Sequence, residues 1–305
     1  MIRTFKEVVE AAKEEGGKKR LAVSTMKRRD IDLLGRAARE GLIIPLIVGD
    51  GKAIESLVRE SPLTSLDHEI IDSQDSGEAL RTAINLARDG RADILMQGTL
   101  DRKIFLSAVL DGKTGLLKGE LASYASVFQL LKRDKLILVT DTFVNNFPGV
   151  AEKQVILEQA IRLAGVLGMD SLKIAALAAI EQVNPSIAST LDAAALSKMS
   201  ERRQFGDAVV EGPLDMDCAL SQVAAGRKGL KSVVTGNVDV YLVPEIETGY
   251  LLVQALVFFG KMNMAGALLG TVKPVIIDLP FVSDDNRLVE IALASLMRQR
   301  GGNNG

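Results

Sequence analysis

Residues 184–200 read Asn-Pro-Ser-Ile-Ala-Ser-Thr-Leu-Asp-Ala-Ala-Ala-Leu-Ser-Lys-Met-Ser. The pattern predicts a helix that Ser189 or Thr190 caps, with Asp192 in its first turn. Capping hydroxyls, free backbone N–H groups and the positive end of a helix dipole together attract anions. The stretch therefore predicts either an anion-binding helix start or a well-capped structural helix.

On both sides of this helix, short apolar runs alternate with amphipathic segments, which predicts mostly parallel sheets covered by helices. We therefore expect an α/β fold of two doubly wound, mostly parallel domains. Strands are expected at 21–24, 43–48, 69–71, 93–97, 136–140, 174–178, 208–210, 238–243, 265–269 and 275–278. Amphipathic segments between the strands predict helices, for example at 31–40, 77–88, 151–167, 213–225 and 246–259, and a last helix is expected at about 284–300.

Composition excludes several classes of function. The chain has 305 residues, of which 47% are hydrophobic and 25% charged, with a net charge of −2. Nucleic acid is not an expected partner, because there is no basic excess, no Trp and only 4% aromatic residues. No apolar run reaches the length of about eighteen residues that spans a membrane, and the first residues lack a signal-peptide core. We expect a cytoplasmic protein with no membrane contact.

Metal and disulfide chemistry are also not expected. The chain has one histidine, His68, and one cysteine, Cys218. A lone thiol forms no internal disulfide and fits a reducing compartment, and a zinc-type site needs more soft or borderline ligands than these. A carboxylate-only Mg²⁺ site stays open, although no metal site is predicted.

Several blocks in order along the chain resemble the phosphate acetyl/butyryltransferase family, and its butyryl-type branch most. The most specific are Ser-Thr-Leu-Asp-Ala-Ala within 184–200, Val-Val-Glu-Gly-Pro-Leu-Asp-Met-Asp at 209–217 and Pro-Glu-Ile-Glu-Thr-Gly within 239–249. Shorter matches lie at 92–98, 139–148 and 265–270. Together the matching blocks cover nearly the whole chain.

The resemblance implies the transfer of an acyl group between coenzyme A and inorganic phosphate, with phosphate attacking the thioester directly. It implies a phosphotransacylase or isocitrate-dehydrogenase-like fold, with the active site in an interdomain cleft. The expected domains are 1–141 plus 285–305, and 142–284. Acyl-CoA and phosphate are the expected substrates, no cofactor is tightly bound, and a homodimer is the expected assembly.

The loop at 97–103 is the first candidate for a phosphate or CoA site. It leaves a strand and enters a helix, where ligands gather in open α/β sheets. Gly98 would let the backbone approach an oxyanion, Thr99 offers a hydroxyl, and Arg102 and Lys103 offer charge. A solvated helix start is the alternative.

The sequence departs from the family at positions that the family uses in catalysis. Ser107 stands at a family arginine, and Leu279 and Pro280 replace a Ser-Arg pair. Loss of one such donor typically costs about 3–4 kcal/mol of transition-state stabilisation. The replacement charge is sought in Arg102 and Lys103, in Arg287, or in a cluster at 27–29. The resemblance implies that Ser283, Asp284 or Asp285 handles the thiol proton, and Ser107 completes the catalytic candidates.

Further substrate-binding candidates carry over from the resemblance. They are Ser123, Asp141, Asn145, Ser189, Thr190, Glu247 and Gly249. For Asp192 and Glu247, a purely structural capping role is an equally good interpretation.

Three functions follow in order of preference. The first is a phosphate acyltransferase for a short or branched acyl group, with a variant that uses another acceptor. The second is a catalytically degenerate paralogue that binds acyl-CoA and regulates or scaffolds. The third is a decarboxylating dehydrogenase of related architecture, which the missing nucleotide motif and metal carboxylates disfavour.

Overall fold

Strands and helices alternate along most of the chain. The computed structural model describes residues 1–15, 17–130 and 134–301. The strands are β1 Lys19–Ser24, β2 Ile43–Gly49, β3 Glu69–Asp72, β4 Ile94–Met96, β5 Ser123–Gln129, β6 Leu136–Thr140, β7 Lys173–Leu177, β8 Val209–Leu214, β9 Val240–Leu242, β10 Met264–Leu269 and β11 Val275–Ile276. The helices are α1 Phe5–Glu14, α2 Arg28–Arg39, α3 Gly51–Arg59, α4 Ser76–Arg88, α5 Arg102–Val109, α6 Val150–Val166, α7 Ala188–Glu201, α8 Met216–Leu220, α9 Gln222–Arg227, α10 Ile246–Phe258 and α11 Asp284–Gly301.

The chain divides into two compact units. The terminal unit contains the described residues of Phe5–Ala122 and Ala265–Gly305, and the central unit contains Met1–Thr4 and Ser123–Met264. The sequence predicts domain boundaries at 141/142 and 284/285, which lie about twenty residues after the limits of the two units. The boundaries at 141/142 and 284/285 therefore remain a prediction from the sequence.

The terminal unit has strands in the order β3-β2-β1-β4-β11-β10. Pairing is parallel from β3 to β11, and β10 runs antiparallel to β11. Residues 21–24 of β1 are all buried, as expected for a central strand covered on both faces. The strand order reverses between β1 and β4, and such a switch point is where open α/β sheets bind ligands at the carboxyl ends of the strands.

Helices cover this sheet. Helix α2 begins directly after β1 and buries Ile31 and Leu34, while α4 buries Leu80 and Ile84. The last helix, α11, packs against α1 and α2. It buries a nearly continuous run, 289–296, because it has neighbours on more than one face.

The central unit has strands in the order β5-β6-β9-β7-β8. Strand β5 is antiparallel to β6, and the other pairs are parallel. Helices α6 and α7 pack against each other, and α7 also packs on β8. Gly212 allows this approach, because a Cβ atom there would lie 2.8 Å from Cβ of Ala176 and 3.0 Å from Cβ of Ala193.

The mostly parallel α/β prediction is confirmed, with two local corrections. Strand β5 was not predicted, because its Ser-Tyr-Ala-Ser start breaks the apolar run although every residue from 123 to 128 is buried. The single helix expected over 213–225 is wrong. Pro213 and Leu214 end β8, and the N–H groups of α8 and α9 are capped separately by Asp215 and Ser221.

No helix in the described ranges combines the length and the apolarity needed to cross a bilayer.

Candidate functional site

The loop after β4 lies directly against the carboxyl end of β1. Gly98 is buried, and a Cβ atom at this position would overlap the carbonyl oxygens of Ser24 and Thr25. The Thr99 N–H donates to the Thr25 carbonyl over 2.8 Å. Only glycine fits position 98, so the sequence brings the loop backbone to the switch point of the sheet.

The side chain of Gln97 joins this loop to the segment after β11. Its Nε2 donates to the Leu100 carbonyl over 2.9 Å, and its Oε1 accepts the Asp278 N–H over 3.0 Å. The Gln97 backbone N–H also donates to Ile276, over 2.9 Å. Three adjacent strand ends, those of β1, β4 and β11, therefore hold one loop.

The loop leads into α5, which presents two cations. Asp101 caps the helix by accepting the N–H groups of Lys103 and Ile104. Arg102 is half-buried and Lys103 is exposed. Within the described ranges, neither side chain makes a hydrogen bond or an ion pair. Two cations beside an exposed Thr99 hydroxyl at a helix start suit an anion.

Two of the three cations in the predicted cluster at 27–29 are already paired, while Lys27 is exposed and no ion pair of its side chain is seen in the described ranges. Arg28 binds Asp32 and Glu60, over 3.3 Å and 3.0 Å, while Arg29 binds Asp284 over 2.6 Å. The hydrogen bond that Arg29 donates to the Asp284 carboxylate raises the pKa of Arg29. The cluster at 27–29 is thus largely neutralised by carboxylates.

Arg287 is enclosed within the terminal unit, with 1% of its side chain exposed. Its Nη1 donates to Asp30 over 3.1 Å, and its Nη2 lies 3.6 Å from Oδ1 of Asp278. The Asp30 carboxylate also accepts the Lys27 N–H over 3.1 Å, at the start of α2. Arg287 therefore links β11, α11 and α2 and presents no open face to a ligand in this structure.

The three predicted acid–base residues lie at the start of α11. Ser283 Oγ accepts the Asn286 N–H over 3.3 Å, so this hydroxyl caps the helix. Asp284 pairs with Arg29, and Asp285 pairs with Arg36 over 2.7 Å. Asp284 borders a cavity of about 330 Å³ with the residues of α2, namely Arg28, Arg29, Asp32, Leu33 and Arg36. Within the described ranges, no hydrogen bond joins these acids to Arg102 or Lys103.

The two remaining family departures are visible in the same unit. Ser107 is exposed on α5 and carries no charge. Leu279 is 1% exposed, so the side chain at this position packs in the core. Pro280 is exposed.

In the central unit, Asp141 organises the loop after β6. Its buried carboxylate accepts the N–H groups of Tyr124, Phe143, Val144 and Asn145, and the Asn145 side-chain amide over 2.5 Å. Burial raises the pKa of Asp141, and the hydrogen bonds act in the opposite direction. Five donors leave its oxygens occupied, so Asp141 and Asn145 hold the loop shape.

Gly249 is buried against this loop, and Ser123 is buried at the start of β5. A Cβ atom at position 249 would lie 2.9 Å from the Asp141 carbonyl and 3.1 Å from Cα of Thr142. Ser123 Oγ donates to Gln159 over 2.6 Å. Glu247, by contrast, is exposed in the first turn of α10. The structure thus brings Asp141, Asn145 and Gly249 together.

The prediction that Ser189 or Thr190 caps α7 with its side chain is wrong. The helix begins at Ala188, and neither Ser189 nor Thr190 caps it with its side chain. Thr190 is completely buried, and its hydroxyl donates towards the carbonyls of Asn184 and Ile187 and accepts the Asn184 N–H. The preceding turn bends back over the helix, so Thr190 holds that turn from inside.

Sequence reasoning missed the partner of Asp192. Asp192 Oδ2 lies 2.6 Å from Nζ of Lys153 on α6, and only 5% of the Lys153 side chain is exposed. The signal was available, because Lys153 shares a helical face with the buried Ile156, Leu157 and Ala160. Gln97 was missed as a site residue in the same way, although a polar amide directly after an apolar strand run marks it.

A second cluster that the sequence did not reveal lies at the carboxyl ends of β7 and β8. Lys228 binds Glu181 and Asp215, and also Asp217 over 3.0 Å. The contact with Asp215 and the hydrogen bond that Lys228 donates lower the pKa of Glu181 to about 2. Burial raises the pKa of the adjacent Cys218 thiol to about 12, so this thiol is protonated at neutral pH.

The fold is that of an α/β protein in which the loop at 97–103 lies at the switch point of a mostly parallel sheet. The phosphate acetyl/butaryl transferase family model matches residues 49–294. The chain belongs to this family, whose members are transferases.

Individual relatives agree with this membership. The phosphate butyryltransferase of Clostridium acetobutylicum is 34% identical over 297 residues, with 97% of this chain and 99% of the relative covered. The phosphate acetyltransferase of Rickettsia prowazekii is 35% identical, with 87% and 76% covered. A branched-chain phosphotransacylase from Enterococcus faecalis V583 has a similar structure, with a TM-score of 0.79, 25% identity, and 92% and 98% coverage.

Proposed function

We propose that this phosphate acyltransferase transfers a short or branched acyl group between coenzyme A and inorganic phosphate. The names of the butyryltransferase and branched-chain relatives support this range of acyl groups. The substrates are small molecules, and no tightly bound cofactor takes part.

One observation carries the proposal. Arg102 and Lys103 are unpaired among the described residues, and they follow a loop whose backbone is drawn to the switch point by Gly98. Three of the competing cations, Arg28, Arg29 and Arg287, are bound by carboxylates, which leaves Lys27 after β1 as the remaining alternative. The pair on α5 therefore supplies the charge that the family draws from an arginine at position 107.

The chemistry that follows is direct displacement. An oxygen of hydrogen phosphate attacks the thioester carbonyl, the C–S bond breaks, and the leaving thiolate of coenzyme A takes up the proton that the phosphate loses. Arg102 and Lys103 neutralise the phosphate, and the Thr99 hydroxyl donates to one of its oxygens. Ser283, Asp284 or Asp285 moves the thiol proton.

In the central unit, the proposal keeps the substrate-binding candidates that the family resemblance implies. Ser189 and Glu247 are accessible enough to meet the acyl-CoA directly. Ser123, Asp141, Asn145, Thr190 and Gly249 act by fixing the loops and turns around those contacts.

A second candidate function is a variant of the first, in which the acceptor is not phosphate or turnover has been lost. The buried Leu279 and the uncharged, exposed Ser107 favour it, because neither position supplies the donor that the family uses. Arg102→Ala would then leave any thiol release unchanged.

The protein also acts as a cytoplasmic homodimer in this proposal. Helix α10 supports the assembly, because Leu251, Phe258 and Phe259 at its surface are 67%, 54% and 90% exposed. Sedimentation velocity of the wild type and of Phe259→Glu measures it. The dimer species should weaken in the variant.

The function is tested by thiol release from acetyl-, propionyl-, butyryl- and isobutyryl-CoA, each with and without phosphate. Phosphate-dependent release supports the first candidate, and release without phosphate supports another acceptor. If no acyl-CoA gives thiol release although calorimetry shows that CoA still binds, the result supports the catalytically degenerate paralogue and contradicts the proposed enzyme activity.

A further inference from the structure

The side chain of Gln97 is almost completely enclosed at the end of β4, with 4% of the residue exposed. Both ends of its amide are used, since Nε2 faces the Leu100 carbonyl and Oε1 faces the Asp278 N–H. The opposite orientation of the amide would place donor against donor and acceptor against acceptor, so this assignment is fixed by its surroundings.

The two groups that Gln97 holds belong to different segments. Leu100 lies in the loop that carries Thr99 and leads to Arg102, while Asp278 begins the segment that leads from β11 to Ser283. Neither segment is a regular helix or strand at the point of contact. The amide therefore sets the separation between the proposed phosphate loop and the segment that carries the proposed acid–base residues.

Asp278 is itself held from the other side. Arg287 lies 3.6 Å from the Asp278 carboxylate and also donates to Asp30 on α2. Since Arg287 has 1% of its side chain exposed, this anchor is part of the core. Gln97 thus connects the loop after β4 to a segment that Arg287 anchors in the core.

We infer that Gln97 is a positioning residue that holds the 98–103 loop in its phosphate-binding arrangement. This rests on the proposed function of that loop. Without the amide, the Leu100 carbonyl and the Asp278 N–H lose their partners, and the part of the loop after Thr99 loses its link to the segment after β11. Misplacement of a binding group by about 1 Å typically costs roughly 10²-fold in rate.

The test compares Gln97→Met, Gln97→Glu and Val58→Ala. Methionine at position 97 has a similar volume and removes both side-chain hydrogen bonds. Glutamate has the same shape, but it places a carboxylate oxygen instead of the amide nitrogen against the Leu100 carbonyl oxygen. Val58 is buried in α3, 5% exposed, and its truncation lowers the melting temperature without touching the loop. Each variant is assayed for thiol release well below its melting temperature, with phosphate and acyl-CoA varied in turn, and for phosphate binding by calorimetry.

Both Gln97 variants should raise the KM for phosphate about tenfold or more, change the KM for acyl-CoA less than about twofold, and weaken phosphate binding in parallel. Val58→Ala should leave both KM values unchanged. If Gln97→Met fails to fold, Gln97→Glu alone decides. A wild-type KM for phosphate in a folded Gln97 variant overturns this inference alone. Wild-type protein that neither turns over nor binds phosphate overturns the proposed function as well.

Discussion

The Nζ atom of Lys153 lies 2.6 Å from Oδ2 of Asp192, with 5% of the lysine side chain and 20% of the aspartate side chain exposed. The pair joins α6 to α7 near the middle of the stretch 184–200. A buried ion pair contributes little net stability, but the loss of one partner is costly because it leaves a charge uncompensated.

We predict an asymmetric loss of stability at this pair. Asp192→Ala leaves the more deeply buried Lys153 unpaired and should lower the free energy of unfolding by about 3–5 kcal/mol. Lys153→Met leaves the more exposed Asp192 and should cost less, while the double variant should recover most of the loss. Urea denaturation measures all three. Equal losses from the two single variants would contradict this interpretation.

Gly98→Ala should disrupt the loop at 97–103. The added methyl group would overlap two carbonyl oxygens at the end of β1, so the loop backbone must move away from the sheet. Phosphate-dependent thiol release should fall by roughly 10²-fold or more, as expected for a displaced site. Gly112→Ala is the control, because a Cβ atom there meets nothing within 4 Å, and its activity should match the wild type.

Acid should weaken the central unit through Glu181. The pKa of this carboxyl falls from 4.5 to about 2 on folding. Its ionised form therefore adds to the free energy of unfolding above pH 4.5, and this contribution is lost as the pH falls towards 2. Glu181→Gln should therefore lose less stability than the wild type between pH 5 and pH 2. Thermal melts across this range check the slope. Parallel curves for the two proteins would exclude a role for Glu181 in acid sensitivity.

The Cys218 thiol should be inert in the folded protein. It is buried and its pKa is raised to about 12, so the reactive thiolate is nearly absent at neutral pH. Iodoacetamide should leave the native protein unlabelled and modify one residue in denaturant. Rapid labelling of the native protein at pH 7 would show that Cys218 becomes accessible without unfolding.

The repeating strand pattern predicted most of the sheets because burial on both faces requires continuous apolar runs, as in β1 and β2. Strand β5 was not predicted because its Ser123 and Ser126 are polar. Both are buried because their hydroxyls form hydrogen bonds with residues distant in sequence, Gln159 and Thr142. Such partners become visible only when the fold is known.

The candidate site was predictable to a similar degree. Gly98 and the cations of α5 follow from the strand-to-helix pattern, and the structure places them at the switch point. Arg287 was also a candidate for free charge, but in the structure it is paired with Asp30 and Asp278, which come from separate segments. Pairing between distant segments decides which arginine is available, and spacing in the sequence carries no such information.

The most direct test of the central claim is the rate of phosphate-dependent thiol release from butyryl-CoA by the Arg102→Ala, Lys103→Ala double variant. The control is Arg59→Ala, which removes an exposed cation from the end of α3. We predict that the double variant loses at least 10²-fold in kcat/KM for phosphate, because charge neutralisation at the nucleophile is lost, while the control keeps the wild-type rate. Equal rates in the wild type and the double variant would show that phosphate is not held by this loop.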